Sequence, residues 1–169
     1  MSLQTDVYDL MQPIIGGVVI FADQNKPRPP LPYSVIKINS VRYVNQDHYG
    51  DPDSNGIQTV KGDREFTLNV QMFGESDVVS LLGGVVDRLR LTTNIDKFMA
   101  KKLTAFNTEA VTDISALLDS TAIEKRASVD IFMRYKSALT DNVGIIETAS
   151  IEGDDDSTAP KYTSTAVDN

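Results

Sequence analysis

The sequence predicts an α+β domain in which helices pack on one face of a mostly antiparallel β-sheet, followed by an acidic, flexible C-terminal tail. The first observation behind this is that Phe66, Leu68, Val70 and Met72 alternate with Glu65, Thr67, Asn69 and Gln71, the period of a strand with one apolar and one wet face. Val129, Ile131, Met133 and Tyr135 repeat that pattern against Asp130, Arg134 and Lys136. Between these stretches, Val78, Val79, Leu82, Val85, Val86 and Leu89 recur at helical spacing. Strands, then helices, then strands is the order of a sheet with segregated helices.

Taken in order, Leu3, Val7, Leu10, Met11 and Ile14 fall on one face of a short N-terminal helix, which Pro13 should kink or bound. Val18 to Ala22 is a brief apolar run. Pro27, Pro29, Pro30 and Pro32 then lead directly into Tyr33, where a strand rich in Val, Ile and Tyr begins and continues to Val44. A Pro-rich peptide ligand should be exposed and loosely tethered, whereas this stretch lies inside the folded region. Pro27, Pro29, Pro30, Pro32 and Tyr33 therefore read as a strut, held extended at little ordering cost because proline restricts φ.

Turn formers fill Asn45 to Asn55, and a second long strand runs from Ile57 to Phe73. Ser76 is the expected cap of the next helix. Gly83 and Gly84 would each cost about 1 kcal/mol against Ala in a helix interior, which predicts a close backbone approach there or a shorter helix. Asn94 is expected to cap a further short helix containing Phe98 and Leu103. Val111 to Leu118 carries a short strand pattern, and Ala127 to Gly153 reads as two antiparallel strands joined at Thr140-Asp141-Asn142. The folded domain is expected over residues 1–152. Residues 153–169 form the tail, too polar to offset an ordering entropy of about 1–2 kcal/mol per residue.

Composition narrows the function. No apolar run approaches the roughly 20 residues of a membrane-spanning helix, and the absence of cysteine removes disulfides, thiolate nucleophiles and thiolate metal sites together. A formal net charge of −8 argues against a surface made to grip phosphates. From Glu152 onward five acids face one Lys, so half of that imbalance sits in the last 18 residues.

No catalytic, cofactor or metal constellation emerges. Asp51, Asp53, Asn55 and Gly56 copy the opening of a calcium-binding EF-hand loop, but its twelfth position is Gly62 where a bidentate Glu is needed, and strands flank it. An Asx-rich turn accounts for the stretch. His48 is the sole histidine and reads as a solvated loop residue. Neither Gly-Gly pair carries the Lys and hydroxyl of a phosphate loop, and no nucleophile elbow occurs.

Four stretches resemble the tail terminator, or neck terminator, proteins of tailed bacteriophages: ADQNKPRPPLPY (Ala22 to Tyr33), FTLNVQMFG (Phe66 to Gly74), IEKRASVDIFMRY (Ile123 to Tyr135) and DNVGIIETASIEG (Asp141 to Gly153). One departure is Ile123, where that resemblance leads one to expect an aromatic. The resemblance implies a non-enzymatic virion protein assembled in the host cytoplasm. It would form a homo-oligomeric ring, usually of six copies, that caps the tail tube protein, stops tail polymerisation and docks the neck or head connector. Genome DNA would pass through the lumen without sequence-specific binding, and an acidic lining would repel its phosphates. Arg126, Asp130, Arg134 and Tyr135 are then the expected contributors to a subunit or partner contact, against the plainer reading of a salt-bridged strand face. A different class of function, a monomeric adaptor displaying the Pro-rich segment or the acidic tail to a partner protein, fits the same features.

Overall fold

The computed structural model describes residues 2–24, 27–119 and 122–144. The expected tail, 153–169, lies outside the described residues, as does most of the strand expected beyond Asn142. In chain order the elements are α1 (Leu3–Ile15), β1 (Val18–Phe21), β2 (Tyr33–Tyr43), β3 (His48–Tyr49), β4 (Ile57–Gly74), α2 (Val78–Leu89), α3 (Thr92–Ala100), β5 (Leu103–Thr108), β6 (Thr112–Asp113), β7 (Ala116–Asp119) and β8 (Ala122–Asn142). The fold is the expected α+β class, with a large, mostly antiparallel sheet. Two compact units divide the chain: Met1–Asp47 with Gly62–Ser137, and His48–Lys61 with Ala138–Asn169.

In the first unit, the Ser2 side chain caps α1 by accepting from the Thr5 N–H, and Val7, Leu10, Met11, Ile14 and Ile15 are buried along one face. The helix continues through Pro13. Proline removes one donor, but Asp9, whose carbonyl would have received it, stands at an exposed position of the helix. Gly16, with φ 78°, stops the helix in a backbone conformation that residues with a side chain rarely adopt.

The apolar run after α1 is a strand, β1, paired parallel to β2 with Val18 opposite Tyr33 and Phe21 opposite Ile36. A hairpin cannot close a parallel pair, so residues 22–32 must return the chain along β1. Pro27, Pro29, Pro30 and Pro32 lie in that return, with a cis bond at Leu31-Pro32. From Tyr33 opposite Phe73 to Tyr43 opposite Arg64, β2 pairs antiparallel with β4, and the register shifts between Asn39 and Val41. Ser40, the residue at the shift, has φ 33°.

The strand order is β1-β2-β4-β8-β5. Contacts of Asn69 with Asp130, Glu65 with Arg134 and Asp63 with Lys136 descend β4 as they ascend β8, so those strands are antiparallel. β5, β6 and β7 follow one another antiparallel to β8 and make up a broken outer border. Between sheet and helices lies one core, whose fully buried side chains include Val7, Met11, Ile36, Leu68, Val70, Leu82, Val85, Leu103, Val129, Ile131 and Met133. Each contributes on the order of 1.5–3 kcal/mol through burial.

Local chemistry departs from expectation at several points. The cap of α2 is Asp77, whose carboxylate accepts from the Ser80 N–H, rather than Ser76. Both residues are cap-competent, and the hydrophobic stripe beginning at Val78 selects the nearer one. Asn94 lies inside α3, where its side-chain amide donates to the Arg88 carbonyl at 2.8 Å and so satisfies the C-terminal end of α2 instead. Leu103 belongs to β5, since α3 ends at Ala100 and Lys102 turns the chain at φ 57°. At Gly83 and Gly84 α2 is uninterrupted, and a Cβ would meet nothing within 4 Å at either, so neither explanation offered for them holds.

In the second unit, β3 places the exposed His48 opposite Lys61 and Tyr49 opposite Val60, making a short strand where the sequence suggested only turns. The Asx turn is present: the Asp53 carboxylate accepts from the Asn55 and Ile57 N–H groups at 2.8 and 2.9 Å. Thr140, Asp141 and Asn142 do not turn, since β8 runs through them. Their local turn preference yields to pairing, which the Val143 N–H continues by donating to the Gly56 carbonyl at 3.0 Å. Gly56 has φ 73°, and a Cβ there would lie 2.6 Å from the Gly144 backbone, which reserves the position for glycine.

The two kinds of glycine predict opposite responses. Gly84→Ala should stabilise the protein by up to about 1 kcal/mol through helix propensity, and Gly56→Ala should destabilise it by more than about 1 kcal/mol. Urea unfolding of the two variants checks both signs.

Candidate interaction surface

Strand alternation gives the sheet of the first unit two unlike faces. Phe66, Leu68, Val70 and Met72 of β4 and Ala127, Val129, Ile131 and Met133 of β8 join the helices in the core. Their neighbours Glu65, Thr67, Asn69, Gln71 and Phe73, with Ser128, Asp130, Phe132 and Arg134, point the other way. The buried apolar residues of all three helices belong to the core cluster, which leaves the second face without a helix among the described residues.

That face is not simply wet. At one end Tyr33 stacks on Phe73 with ring centroids 4.7 Å apart. The Arg28 and Arg126 guanidiniums lie 5.3 and 5.0 Å from the Phe73 centroid, and both pair with the buried carboxylate of Glu124. Arg28 also donates to the Tyr33 hydroxyl, the main reason its already high pKa is raised further. This ties the Pro-rich return connection to β8.

In the middle, the Asn69 amide donates to Ser128 Oγ at 3.0 Å and Asp130 Oδ1 at 2.6 Å, while Gln71 donates to Asn69 Oδ1 at 3.0 Å. At the other end Glu65, only 5% exposed, accepts from Arg42 Nε at 2.9 Å and from Arg134 Nε at 3.0 Å. These two guanidiniums, Arg134 first, hold the Glu65 carboxyl below the ordinary carboxylate range. The Arg134 guanidinium lies 5.3 Å from the Phe106 centroid, and Phe106 approaches Phe132 at 6.3 Å. A cleft of about 160 Å3 opens beside Glu65, lined by Ser40, Arg42, Thr67 and Phe132.

The structure thus brings Arg126, Asp130 and Arg134 onto one face and sends Tyr135 to the other. There Tyr135 is half-buried against the core, edge-on to Phe66 at 6.0 Å. At each end two arginines share one carboxylate, leaving an excess positive charge whose guanidiniums are partly exposed. Such a face can meet carboxylates and flat aromatic or amide groups of another protein.

Sequence reasoning missed Arg42, Glu65, Glu124 and Phe106 as members of this surface. A usable signal was present in Arg42, Glu65 and Arg134, charges placed in the interior of strand patterns. A further arginine pair stands apart: Arg64, buried, donates to both carboxylate oxygens of Asp47 at 2.7 Å and lies 4.1 Å from the Tyr43 centroid. Gly62 makes room for it, because a Cβ there would collide with both partners. Asp47 is held below its usual range by Arg64.

A carboxyl whose folded pKa is depressed stabilises the fold above its unfolded pKa, and that contribution is lost as pH falls through the folded value. The thermal midpoint should therefore drop on acidification below about pH 4. Glu65→Gln should lower the midpoint at pH 7 and make the acid drop shallower. Parallel drops in variant and parent would exclude Glu65 as a contributor.

A family model described as phage neck terminator protein matches residues 4–157. No curated protein matches the chain.

Proposed function

Since the chain belongs to the phage neck terminator protein family, we propose that it is a structural virion component without catalytic activity, forming a ring of six copies. The ring caps the tail tube, ends tail polymerisation and joins the tail to the neck or head connector. Family membership over nearly the whole chain carries this reading.

The two unlike borders of the sheet support it. β1 ends one side of the strand order and the broken run of β5, β6 and β7 ends the other. A closed ring is built from heterologous contacts, which need two different surfaces on each subunit, typically burying about 800 Å2 per partner. The open sheet face supplies a further docking surface. In this reading Arg126, Asp130 and Arg134 present charge to a neighbour or to the tube or connector, Tyr135 supports the strand from the core side, and the prolines from Pro27 to Pro32 with Tyr33 brace the parallel return. DNA crosses the lumen without sequence-specific contacts.

Purified tube protein allowed to polymerise with and without this chain tests the role. Tubes of bounded length, each ending in a sixfold annulus by electron microscopy, are expected. Tubes that elongate equally in its presence would refute it. Arg134→Glu should reduce assembly measured by light scattering, and unchanged assembly would remove Arg134 from the contact.

A further inference from the structure

Three features meet at one border of the first unit. β5 ends the strand order, so among the described residues no strand pairs with its outer side. Beside it, Leu91 and Ile95 and Met99 of α3 recur at i, i+4 and i+8 and are 52%, 43% and 64% exposed, an apolar stripe turned away from the core that Phe98 enters. Ile95, Phe98 and Met99 face Leu103 and Ala105 of β5 across a shallow groove of about 30 Å3. That space is too small for a small molecule and leaves the exposed stripe as a shallow ledge beside the strand.

The sequence around the groove residues is basic in an acidic protein. From Arg88 to Lys102 the chain carries Arg88, Arg90, Lys97, Lys101 and Lys102 against Asp96 alone. Lys101 is bound to Asp6 at 2.8 Å, and the other four bases are exposed. The complementary composition lies in the same chain. Residues 145–169, outside the described residues, place Ile145, Ile146 and Ile151 among Glu147 and Glu152 and then run into Asp154, Asp155 and Asp156.

We propose that the groove between α3 and the outer border of β5 receives the C-terminal segment of a second copy of this chain as an added strand. Main-chain hydrogen bonds to β5 hold the segment, its isoleucines lie along the apolar stripe over the groove, and its acids meet Arg88, Arg90 and Lys102. An open strand edge beside an apolar helix flank is the arrangement that β-strand addition uses. Extended, residues 145–169 can span up to roughly 80 Å, enough to reach a neighbouring copy. A segment tethered to one copy and seated on the next makes a head-to-tail contact, the kind that a ring repeats. The inference rests on the assembly reading above and names the segment and groove of one such contact.

The absence of cysteine from the chain makes disulfide trapping a direct test. Met99→Cys is combined in the full-length protein with Ile146→Cys or Ile151→Cys, and Ile95→Cys serves as a second groove position. Mild oxidation should give a ladder of chains linked beyond the dimer on a denaturing gel, which no single-cysteine variant produces. Adding Arg90→Glu and Lys102→Glu should reduce the ladder at least several-fold. Monomers closed on themselves, or free thiols at every pairing, would overturn the proposal, as would a ladder indifferent to charge reversal. Native mass measured before oxidation separates this from the assembly reading. A sixfold ring without the ladder removes only this contact, whereas an open-ended ladder without a closed ring keeps the contact and removes the ring.

Discussion

Glu65 sits where the two demands on the sheet collide. The core requires β4 to alternate, and alternation sends every second residue of the strand to a face that no described helix covers. A carboxylate buried there is tolerated only if its charge is met at close range, because removing a partner leaves an ion without solvent or counter-charge. Arg42 from β2 and Arg134 from β8 meet it from either side. The same ion pair thereby fixes the lateral order of three strands, and Glu124 with Arg28 and Arg126 performs the corresponding task at the far end. Between them, the Asn69 amide bonds across to Ser128 and Asp130 of β8 while Gln71 holds Asn69 from within β4, so the face is cross-linked by polar groups along its length.

Apolar periodicity was legible in the sequence because it is local. Phe66 to Met72, Val129 to Met133 and Val78 to Leu89 declare their faces within one element, and the structure buries those faces together. The surface residues were legible only in part, because what decides their role lies far along the chain. Glu65 reads as one more polar residue on a wet face until it is known that Arg42, 23 residues earlier, and Arg134, 69 residues later, arrive beside it. Tyr135 shows the reverse limit: it sits next to Arg134 in sequence, yet the strand period places it on the opposite face, against Phe66. The strand pattern itself carried that separation.

Punctuation misled where two readings were locally equal or where pairing intervened. Ser76 and Asp77 can both cap, and only the helix phase chooses between them. Thr140-Asp141-Asn142 has every mark of a turn, but ladder hydrogen bonds available to an extended chain outweigh a propensity worth about 1 kcal/mol. Asn94 illustrates a third case. Its amide does satisfy a helix end, as a cap should, but the end belongs to α2 rather than to the helix that contains it. β5 escaped notice because Leu103 and Ala105 are its only core-facing apolar residues, too few to establish a period before Phe106 falls at a register shift.

The unlike borders of the sheet bear on how copies could associate. A parallel pair cannot sit at both ends of this topology, because β1 reaches its place through a return connection, whereas β5, β6 and β7 arrive antiparallel to β8. Two copies paired edge to edge about a twofold axis would have to match one border to itself. The parallel β1 border is only four residues long, and the other is interrupted between β5, β6 and β7 and shifted at Phe106. Neither presents a long uniform edge, which disfavours edge-to-edge self-pairing. Contacts between different surfaces propagate a rotation from copy to copy, and a rotation that closes yields a ring.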